Sequence, residues 1–412
     1  MPKPTSGRRA TERNHLWPMV RLGDVCGTIN GIWKGLRKPF VHVGIIRSSN
    51  MTKNCEFSLA KTIYIDVEEK KYKQRKLLAG DIIVERSGGG PGQPVGRAVY
   101  FDLSDGEYSI SNFTSILRVK DANALNGKFL QLYLTSQYFQ GATENIQSNT
   151  TGLHNLDFDA YLNFKIPLPP LSVQREIVAR LERKLAAVEK MKKGFETLAE
   201  TAKAEFKAER LEAHKELLNG EWPCEPLKKH VDVLAGYAFK SQGFVDSGIR
   251  ICGGLIIAPD RIKWEECKYW NFSDGIEQYL LQENDLVIAL DRPWISGGFK
   301  IGVIGRQNLP CLLIQRTARL RMKDVDFRYV MMLLRDESFK LHCTTSGTTV
   351  PHISHKDIET YEIPFPPAKV QKEIVARLSA AKTRAEKLEA KAREGVAVCE
   401  TMRKAILKEA FE

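Results

Sequence analysis

The sequence of 412 residues lacks several features that mark common protein classes. No stretch approaches the roughly 18–20 apolar residues that a membrane-spanning helix needs, so we expect no membrane partner. The opening segment has no apolar core of the secretory type, and we expect residues 1–16 to form a disordered basic tail. The eight cysteines include no CxxC pair and no zinc-like spacing, so we expect reduced thiols in a cytoplasmic protein.

Motifs for catalysis are missing as well. Segment 87–94 is rich in glycine, but no Gly-Lys-Ser/Thr follows it, which excludes a phosphate-binding P-loop. The Pro-Pro pairs at 169–170 and 366–367 follow Leu168 and Phe365, whereas an adenine or cytosine methyltransferase needs Asn or Asp there. The histidines have no carboxylate or cysteine at ligand spacing. We therefore expect no catalytic residue, no metal and no cofactor in this chain.

The composition is that of a globular protein, with 43% hydrophobic and 27% charged residues. The length suits two or three domains. Lys and Arg total 62 against 50 Asp and Glu, and the net charge of +12 favours a polyanionic partner such as nucleic acid. Residues 1–166 carry a net charge of +7 and residues 220–366 carry −1, so the positive charge is uneven.

An internal repeat is the strongest feature of the sequence. The segment IPLPPLSVQREIVARL at 166–181 returns as IPFPPAKVQKEIVARL at 363–378, which is an offset of 197. Trp17-Pro18 is echoed by Trp222-Pro223 upstream of the two copies. The pattern indicates a duplication, in which each half is a globular block followed by a proline-rich hinge and a helix. The predicted segments are a first block at 17–166, a hinge and helix at 167–219, a second block at 220–363, and a hinge and helix at 364–412.

Two long helices follow the hinges. Residues 173–218 and 370–411 contain no proline, and their apolar residues recur every 3.5 positions, as in a coiled coil. We predict an α+β fold with two mixed α/β blocks joined by an antiparallel coiled coil, with a pseudo-twofold repeat. The alternative is that each apolar stripe packs on its own block. The predicted interface residues are Leu181, Leu185, Val188 and Phe195 in the first helix, and Ile374, Leu378, Leu388, Met402 and Ile406 in the second.

Within the blocks, short β-like runs alternate with turns rich in Gly, Asn and Asp. A short helix is predicted near the end of each block, at 128–140 and at 327–340. The predicted strands are 41–46, 62–67, 81–84 and 115–119 in the first block, and 254–257, 285–289, 300–304 and 317–321 in the second.

Loop residues in both blocks have side chains that hold phosphates or read base edges. For any one of them, a solvated turn residue is the alternative. The candidates for DNA binding are Trp33, Lys34, Arg37, Lys38, Arg86, Ser87, Asn149 and Thr150 in the first block, and Lys240, Ser241, Arg292, Trp294, Ser296, Thr345, Ser346 and Thr348 in the second.

The sequence closely resembles the specificity subunit of type I restriction–modification enzymes over almost its whole length. The resemblance rests on the two hinge-and-helix segments, on residues 220–240 and on residues 405–411. Val173 and Val370 stand where the family usually has Glu, a minor departure.

The resemblance implies two target-recognition domains, each of which reads one half of a bipartite double-stranded DNA site. The helices would set the spacer and dock two modification subunits that methylate adenine, and restriction motor-nuclease subunits would join them. S-adenosylmethionine, ATP and magnesium are then expected only in the partner subunits. Two alternatives stay open: a DNA methyltransferase with an unrecognised active site, and a coiled-coil scaffold that binds no DNA.

Overall fold

The computed structural model describes residues 17–89, 92–150, 152–259, 261–273, 275–344 and 352–412. The predicted tail at 1–16 lies outside them. The chain divides into two compact units: unit 1 is Met1–Thr197 with Lys391–Glu412, and unit 2 is Leu198–Ala390. No helix in the described ranges is long and apolar enough to cross a membrane.

The part of unit 1 that precedes the first long helix consists of short strands and short helices. Its strands are β1 (Met19–Arg21), β2 (Cys26–Asn30), β3 (Phe40–Ile46), β4 (Ile63–Glu68), β5 (Ile82–Glu85), β6 (Ser87–Gly88), β7 (Ala98–Tyr100), β8 (Tyr108–Ile110), β9 (Thr114–Val119), β10 (Gln147–Thr150), β11 (Leu153–Leu156) and β12 (Lys165–Pro167). Its short helices are α1 (Leu22–Val25), α2 (Glu69–Arg75), α3 (Gly127–Phe139) and α4 (Phe158–Leu162).

A four-stranded antiparallel sheet in the order β2-β9-β5-β7 forms the centre of unit 1. Neighbouring side chains of a strand point to opposite faces. Ile82 accordingly packs in the cluster that includes Phe129 of α3, whereas Ile83 packs in the cluster around Phe101 on the other face. A second sheet, β4-β3-β8, has β3 antiparallel to β4 and parallel to β8.

The long helix α5 (Leu171–Asn219) follows, and then the elements of unit 2. The strands of unit 2 are β13 (Cys224–Pro226), β14 (Val231–Ala235), β15 (Ile249–Cys252), β16 (Lys268–Trp270), β17 (Leu286–Ala289), β18 (Trp294–Ile295), β19 (Gly298–Phe299), β20 (Ile301–Val303), β21 (Cys311–Leu313), β22 (Thr317–Met322) and β23 (Glu362–Pro364). Its helices are α6 (Phe327–Leu334), α7 (Glu337–Thr344) and α8 (His355–Thr360), and the chain continues into the second long helix, α9 (Ala368–Phe411).

Unit 2 repeats the topology of unit 1. Its central sheet has the order β14-β22-β17-β20, and its second sheet, β16-β15-β21, again combines one antiparallel and one parallel pair. Equivalent side chains make equivalent bonds. Arg118 binds the buried Asp81 at 2.7 Å in unit 1, and Arg321 binds the buried Asp285 at 2.7 Å in unit 2. The duplication seen in the sequence is therefore a duplication of structure.

The repeated glutamine of the hinge has a structural role. Gln174 is fully buried, and its Nε2 donates to the carbonyl oxygens of Pro169 at 2.7 Å and Ala124 at 2.8 Å. Its Oε1 accepts from the backbone N–H of Asn126 at 2.8 Å. Gln371 repeats the hinge bond, donating to the carbonyl oxygen of Pro366 at 2.9 Å. A buried amide needs such partners, so the spacing from the Pro-Pro pair to Gln ties each helix to its block.

Both long helices begin and end close to the predicted positions, and both cross the boundary between the units. Within unit 1 they run antiparallel. Lys192 of α5 lies 3.6 Å from Glu400 of α9, whereas Phe195, further along α5, lies against Gly395, which is earlier in α9. The predicted α+β fold with an antiparallel helix pair is confirmed.

The helix segments of unit 2 share one cluster. Ile374 and Leu378 of α9 lie in the same buried core as Ala213 and Leu217 of α5. Arg377 of α9 reaches across to Glu216 of α5 at 2.6 Å. The same core contains the central sheet of unit 2, so the apolar stripes pack on the partner helix and on their own block together.

The predicted interface residues are mostly covered. Leu181, Val188, Ile374 and Leu378 are buried, and Leu185, Phe195, Leu388 and Ile406 are half-buried. Met402 differs from the prediction, since 40% of its surface is exposed. A helix of 3.6 residues per turn drifts away from a strict heptad. After Cys399 the covered positions are therefore Arg403, Ile406, Leu407, Ala410 and Phe411.

Two other elements differ from the sequence prediction. The helix predicted at 327–340 is interrupted between α6 and α7, where Asp336 accepts from the backbone N–H of Ser338 at 3.0 Å. The strand predicted at 254–257 is a turn, in which the N–H of Ile256 donates to the oxygen of Gly253 at 3.1 Å. Short side chains that bind the local backbone compete with regular structure, and glycine permits a turn within an apolar run.

Candidate nucleic-acid interface

The predicted DNA-binding residues of the first block lie in segments near one edge of the central sheet of unit 1. Strands β2 and β5 end at this edge and β9 begins there, because Asn30 pairs with Ser115 and Glu85 pairs with Thr114. The segments that follow β2 and β5 therefore leave the sheet on the same side.

A small three-stranded sheet lies beside this edge, in the order β10-β11-β6. Ser87 pairs with Asn155, and its hydroxyl donates to the Asn155 amide oxygen at 2.7 Å. Asn149 is exposed and pairs with His154, and Thr150 pairs with Leu153. The structure thus brings Ser87, Asn149 and Thr150 into one sheet although they are far apart in sequence.

Arg86 links this sheet to the end of β2. Its guanidinium lies 4.7 Å from the centre of the Phe158 ring, and its Nη1 is 3.4 Å from Oδ1 of Asn30. The side chain is only half-buried. The cation is therefore held in a defined position and still faces solvent, which suits a contact to phosphate or to a base edge.

The loop between β2 and β3 presents the most exposed candidates. Trp33 and Leu36 are 73% and 88% exposed, and Lys34, Arg37 and Lys38 are exposed with them. The loop is anchored, since the N–H of Leu36 donates to Glu68 at 3.2 Å. This bond and the neighbouring Lys71 lower the pKa of the Glu68 carboxyl.

Unit 2 has the same edge, because Ala235 of β14 pairs with Ala318 of β22 and Ala289 of β17 pairs with Thr317. Lys240 and Ser241 are exposed after β14, and Arg292 is exposed after β17. The equivalent edges of the two units therefore carry the candidate residues.

Trp294 is placed differently from the prediction. Its ring stacks on Phe299 with centroids 5.4 Å apart and lies 6.4 Å from Phe339, against the core of the unit. The indole therefore supports the hairpin of β18 and β19, whereas Ser296 in the turn of that hairpin is exposed. The remaining candidates, Thr345, Ser346 and Thr348, lie outside the described residues.

The structure adds residues that the sequence prediction omitted. Tyr237 follows β14, is 41% exposed and packs 5.1 Å from the ring of Tyr279. Arg316 is exposed just before β22 and pairs with Asp291 at 3.3 Å. Tyr237 could have been found from the repeat, since Gly236-Tyr237 stands where Gly31-Ile32-Trp33 stands in the first half. No pattern in the sequence brings Arg316 to the end of β17, because strand pairing makes that contact.

The chain matches the family model described as type I restriction modification DNA specificity domain over residues 14–194 and 267–396. These two segments are more than half of the chain. The chain belongs to this family.

The curated relatives are named as specificity subunits of type I restriction enzymes. The chain is 29% identical over 248 residues to the type I restriction enzyme MjaVIII specificity subunit of Methanocaldococcus jannaschii, covering 56% of this chain and 58% of that protein. It is 33% identical over 163 residues to the EcoAI specificity subunit of Escherichia coli, covering 38% of this chain and 28% of the relative. It is 22% identical over 400 residues to the EcoKI specificity subunit of Escherichia coli K12, covering 90% and 82%. The matches to MjaVIII and EcoAI thus span less than two thirds of those relatives.

Solved structures share the fold of this specificity-domain protein. A chain from a structure of the type I R-M system, described as the basis of complex assembly and conformational transition, gives a TM-score of 0.71 at 20% identity, covering 96% of this chain and 97% of that one. The HsdS subunit of Thermoanaerobacter tengcongensis gives a TM-score of 0.59 at 20% identity, covering 96% of both chains.

Proposed function

We propose that this chain is the non-catalytic DNA-specificity subunit of a type I restriction–modification system and acts in the cytoplasm. Each unit reads one half of a bipartite site in double-stranded DNA. Membership of the DNA specificity domain family carries the proposal. The exposed loops at equivalent sheet edges of both units support it, since a duplicated recognition surface suits a divided site.

The two units engage DNA with different electrostatics in this proposal. Residues 1–166 have a net charge of +7, which includes the basic tail, and the first block exposes Lys34, Arg37 and Lys38 on one loop, so phosphate attraction contributes strongly to its binding. The second block has a net charge of −1 and relies on particular cations such as Lys240 and Arg292.

The long helices set the spacer between the half-sites and dock two modification subunits, through which the restriction subunits join. S-adenosylmethionine, ATP and magnesium are bound by those partners. No cluster of three or more His, Cys, Asp or Glu suited to a metal ion occurs in the described part of the chain. A methyltransferase role makes a different prediction: incorporation of labelled methyl groups into DNA by the purified chain alone would refute the non-catalytic assignment.

The methylated sequence motifs of the host genome test the recognition role. They should include one bipartite adenine-methylated motif, which disappears when this gene is deleted and returns when it is restored. Persistence of every methylated motif after deletion would contradict the proposal.

The docking role is tested at Leu388, which is half-buried in α9. Proline inside a helix costs about 3 kcal/mol, so Leu388→Pro should abolish co-purification with the modification subunits. Leu388→Ala, which keeps the helix, is the control. Circular dichroism of the remaining structure shows whether the blocks stay folded, and intact assembly in the proline variant would mean that the helix surfaces are not the docking site.

A further inference from the structure

The repeat places Arg97 of unit 1 and Lys300 of unit 2 at equivalent positions. The N–H of Glu85 donates to the carbonyl oxygen of Arg97 at 2.9 Å, and the N–H of Ala289 donates to that of Lys300 at 3.1 Å. Each basic residue therefore directly precedes the outermost strand of its central sheet, which is β7 in unit 1 and β20 in unit 2. The residue opposite is Glu in unit 1 and Ala in unit 2.

In unit 1 this position is closed. Arg97 donates to both carboxylate oxygens of Glu85, at 2.8 and 2.6 Å, and both side chains are buried. The same guanidinium donates to the carbonyl oxygens of Met51 at 2.7 Å and Ser48 at 3.4 Å. The segment after β3 is thus fastened to the sheet, and the buried charges compensate each other.

In unit 2 the same position is open. The ammonium of Lys300 donates to the carbonyl oxygen of Gly254, just as the guanidinium of Arg97 donates to the carbonyl oxygen of Ser48. Ala289, however, supplies no carboxylate to Lys300. A cavity of about 590 Å³ lies here, and its lining includes the basic residues Lys300, Arg292 and Arg316 and the apolar residues Ile251 and Ile314. This volume is within the range of about 300–1,000 Å³ that is usual for small-ligand sites.

The lining of the cavity carries more basic than acidic side chains. Four basic side chains line the cavity against two acidic ones, Asp291 and Glu266. Asp291 is engaged by Arg316 at 3.3 Å and by His352 at 2.7 Å, and Glu266 is engaged by Lys263 at 3.1 Å. Burial lowers the pKa of Lys300, and the Asp291 carboxylate opposes this effect in part.

The backbone at the cavity is unusual. Arg292 and Arg316 have positive φ values of 46° and 64°, a conformation that residues other than glycine rarely adopt. Such conformations cluster at ligand sites, where the surrounding structure holds them. Here both arginines line the same cavity, and both lie at the sheet edge that carries the DNA-binding candidates of unit 2.

We propose that this cavity binds a single nucleotide, with the phosphate against Lys300 and Arg292 and the base against Ile251 and Ile314. This inference rests on the proposed function, since the natural source is a nucleotide unstacked from the bound DNA. A free nucleotide has the same chemistry and is the other source.

Unit 1 suggests the decisive variant. Ala289→Glu introduces a carboxylate beside Lys300, as Glu85 does beside Arg97. The new carboxylate would take the place of the nucleotide phosphate next to the ammonium of Lys300. Loss of this charge-assisted bond should weaken nucleotide binding about tenfold or more. Ala289 is fully buried, so Arg292→Gln, which changes an exposed side chain, tests the cavity without a packing change. Arg306→Gln is the control, because Arg306 is an exposed arginine of unit 2 outside the cavity.

The experiment uses the full chain in two arms. In the first, 2-aminopurine replaces each base in turn of a duplex that carries the methylated motif of the host. In the second, the four deoxynucleoside 5′-monophosphates are titrated by calorimetry. In the first arm, the wild type and Arg306→Gln should show a rise in fluorescence at one position of the duplex, and Ala289→Glu and Arg292→Gln should not. This pattern would identify the ligand of the cavity as a nucleotide of the bound DNA. The same pattern only in the titrations identifies a free nucleotide.

The proposal is overturned if the wild type gives no signal in either arm, or if neither Ala289→Glu nor Arg292→Gln changes the signal. Failure of the wild type to bind the motif duplex in a filter assay would instead refute the proposed function, and the titrations would still decide whether the cavity binds nucleotides.

Discussion

Two glycines in the long helices make a matched test of the antiparallel pairing. A methyl group added at Gly395 of α9 would lie 2.5 Å from Cδ1 and Cε1 of Phe195 and 2.6 Å from Cγ, so the ring would have to move. A methyl group at Gly194 of α5 would meet nothing within 4 Å. The two substitutions have the same helix propensity term and differ in this contact.

The two substitutions should change the free energy of unfolding in opposite directions. Replacing Gly by Ala inside a helix gains about 1 kcal/mol from propensity, so Gly194→Ala should raise the free energy of unfolding by up to that amount. Overpacking costs about 1–3 kcal/mol, so Gly395→Ala should lower the free energy of unfolding by up to about 2 kcal/mol after the propensity gain.

Urea unfolding followed by far-ultraviolet circular dichroism measures both changes. Phe195→Ala should remove the obstruction, so that Gly395→Ala becomes stabilising in that background. If Gly395→Ala in the wild-type background stabilises the protein as much as Gly194→Ala does, Phe195 does not cover Gly395 and the antiparallel register of the helices is wrong.

Three further predictions concern the hinge, the basic loop and the thiols. Gln174→Leu leaves buried hydrogen-bonding groups without partners and should lower the free energy of unfolding by about 2–5 kcal/mol in urea, whereas an effect below 1 kcal/mol would contradict the hinge role. Combined Arg37→Ala and Lys38→Ala should reduce the slope of log K against log salt by about 1.8 in DNA binding; an unchanged slope would exclude phosphate contacts. At pH 8 a thiol reagent should modify the exposed Cys224 and the half-buried Cys267 fastest. The reason is that burial raises the pKa to about 12 for the thiols of Cys26, Cys55, Cys311 and Cys343. Equal rates of modification for all eight cysteines would refute this prediction.

The repeat and the hinge were predictable because they are written in covalent sequence. Proline-free segments with apolar spacing of 3.5 gave both long helices within about two residues. The position at which the apolar residues of α9 depart from the heptad spacing was not predictable. Phe411 packs its ring 5.6 Å from Phe129 and 5.4 Å from Tyr133, so the last turn of α9 also contacts the core of the first block, which the heptad spacing does not predict.

The candidate interface was predictable by residue type but not by position. Ser87 and Asn149 were selected as polar loop residues, and strand pairing through β11 brings them into one small sheet. Trp294 was selected as an aromatic in a loop, yet it packs inward because Phe299 and Phe339 are its neighbours in space. The difference between Glu85 and Ala289 is visible in the sequence, where DIIVE at 81–85 is echoed by DLVIA at 285–289, but the cavity beside Ala289 is formed by residues that only the fold brings together.

Unit 1 is built from two segments that are far apart in the sequence, and this has a consequence for synthesis of the protein on the ribosome. Its core contains Leu407, whose carbonyl oxygen accepts from the hydroxyl of Ser136 at 3.2 Å, a contact that spans 271 positions of the chain. Domains usually fold as the chain emerges, the earlier ones first. Here the core of the earlier block needs Leu407, which is translated only after all of Leu198–Ala390. The face around Ser136 therefore stays uncovered while all of unit 2 is being synthesised, and unit 1 cannot be completed before that point.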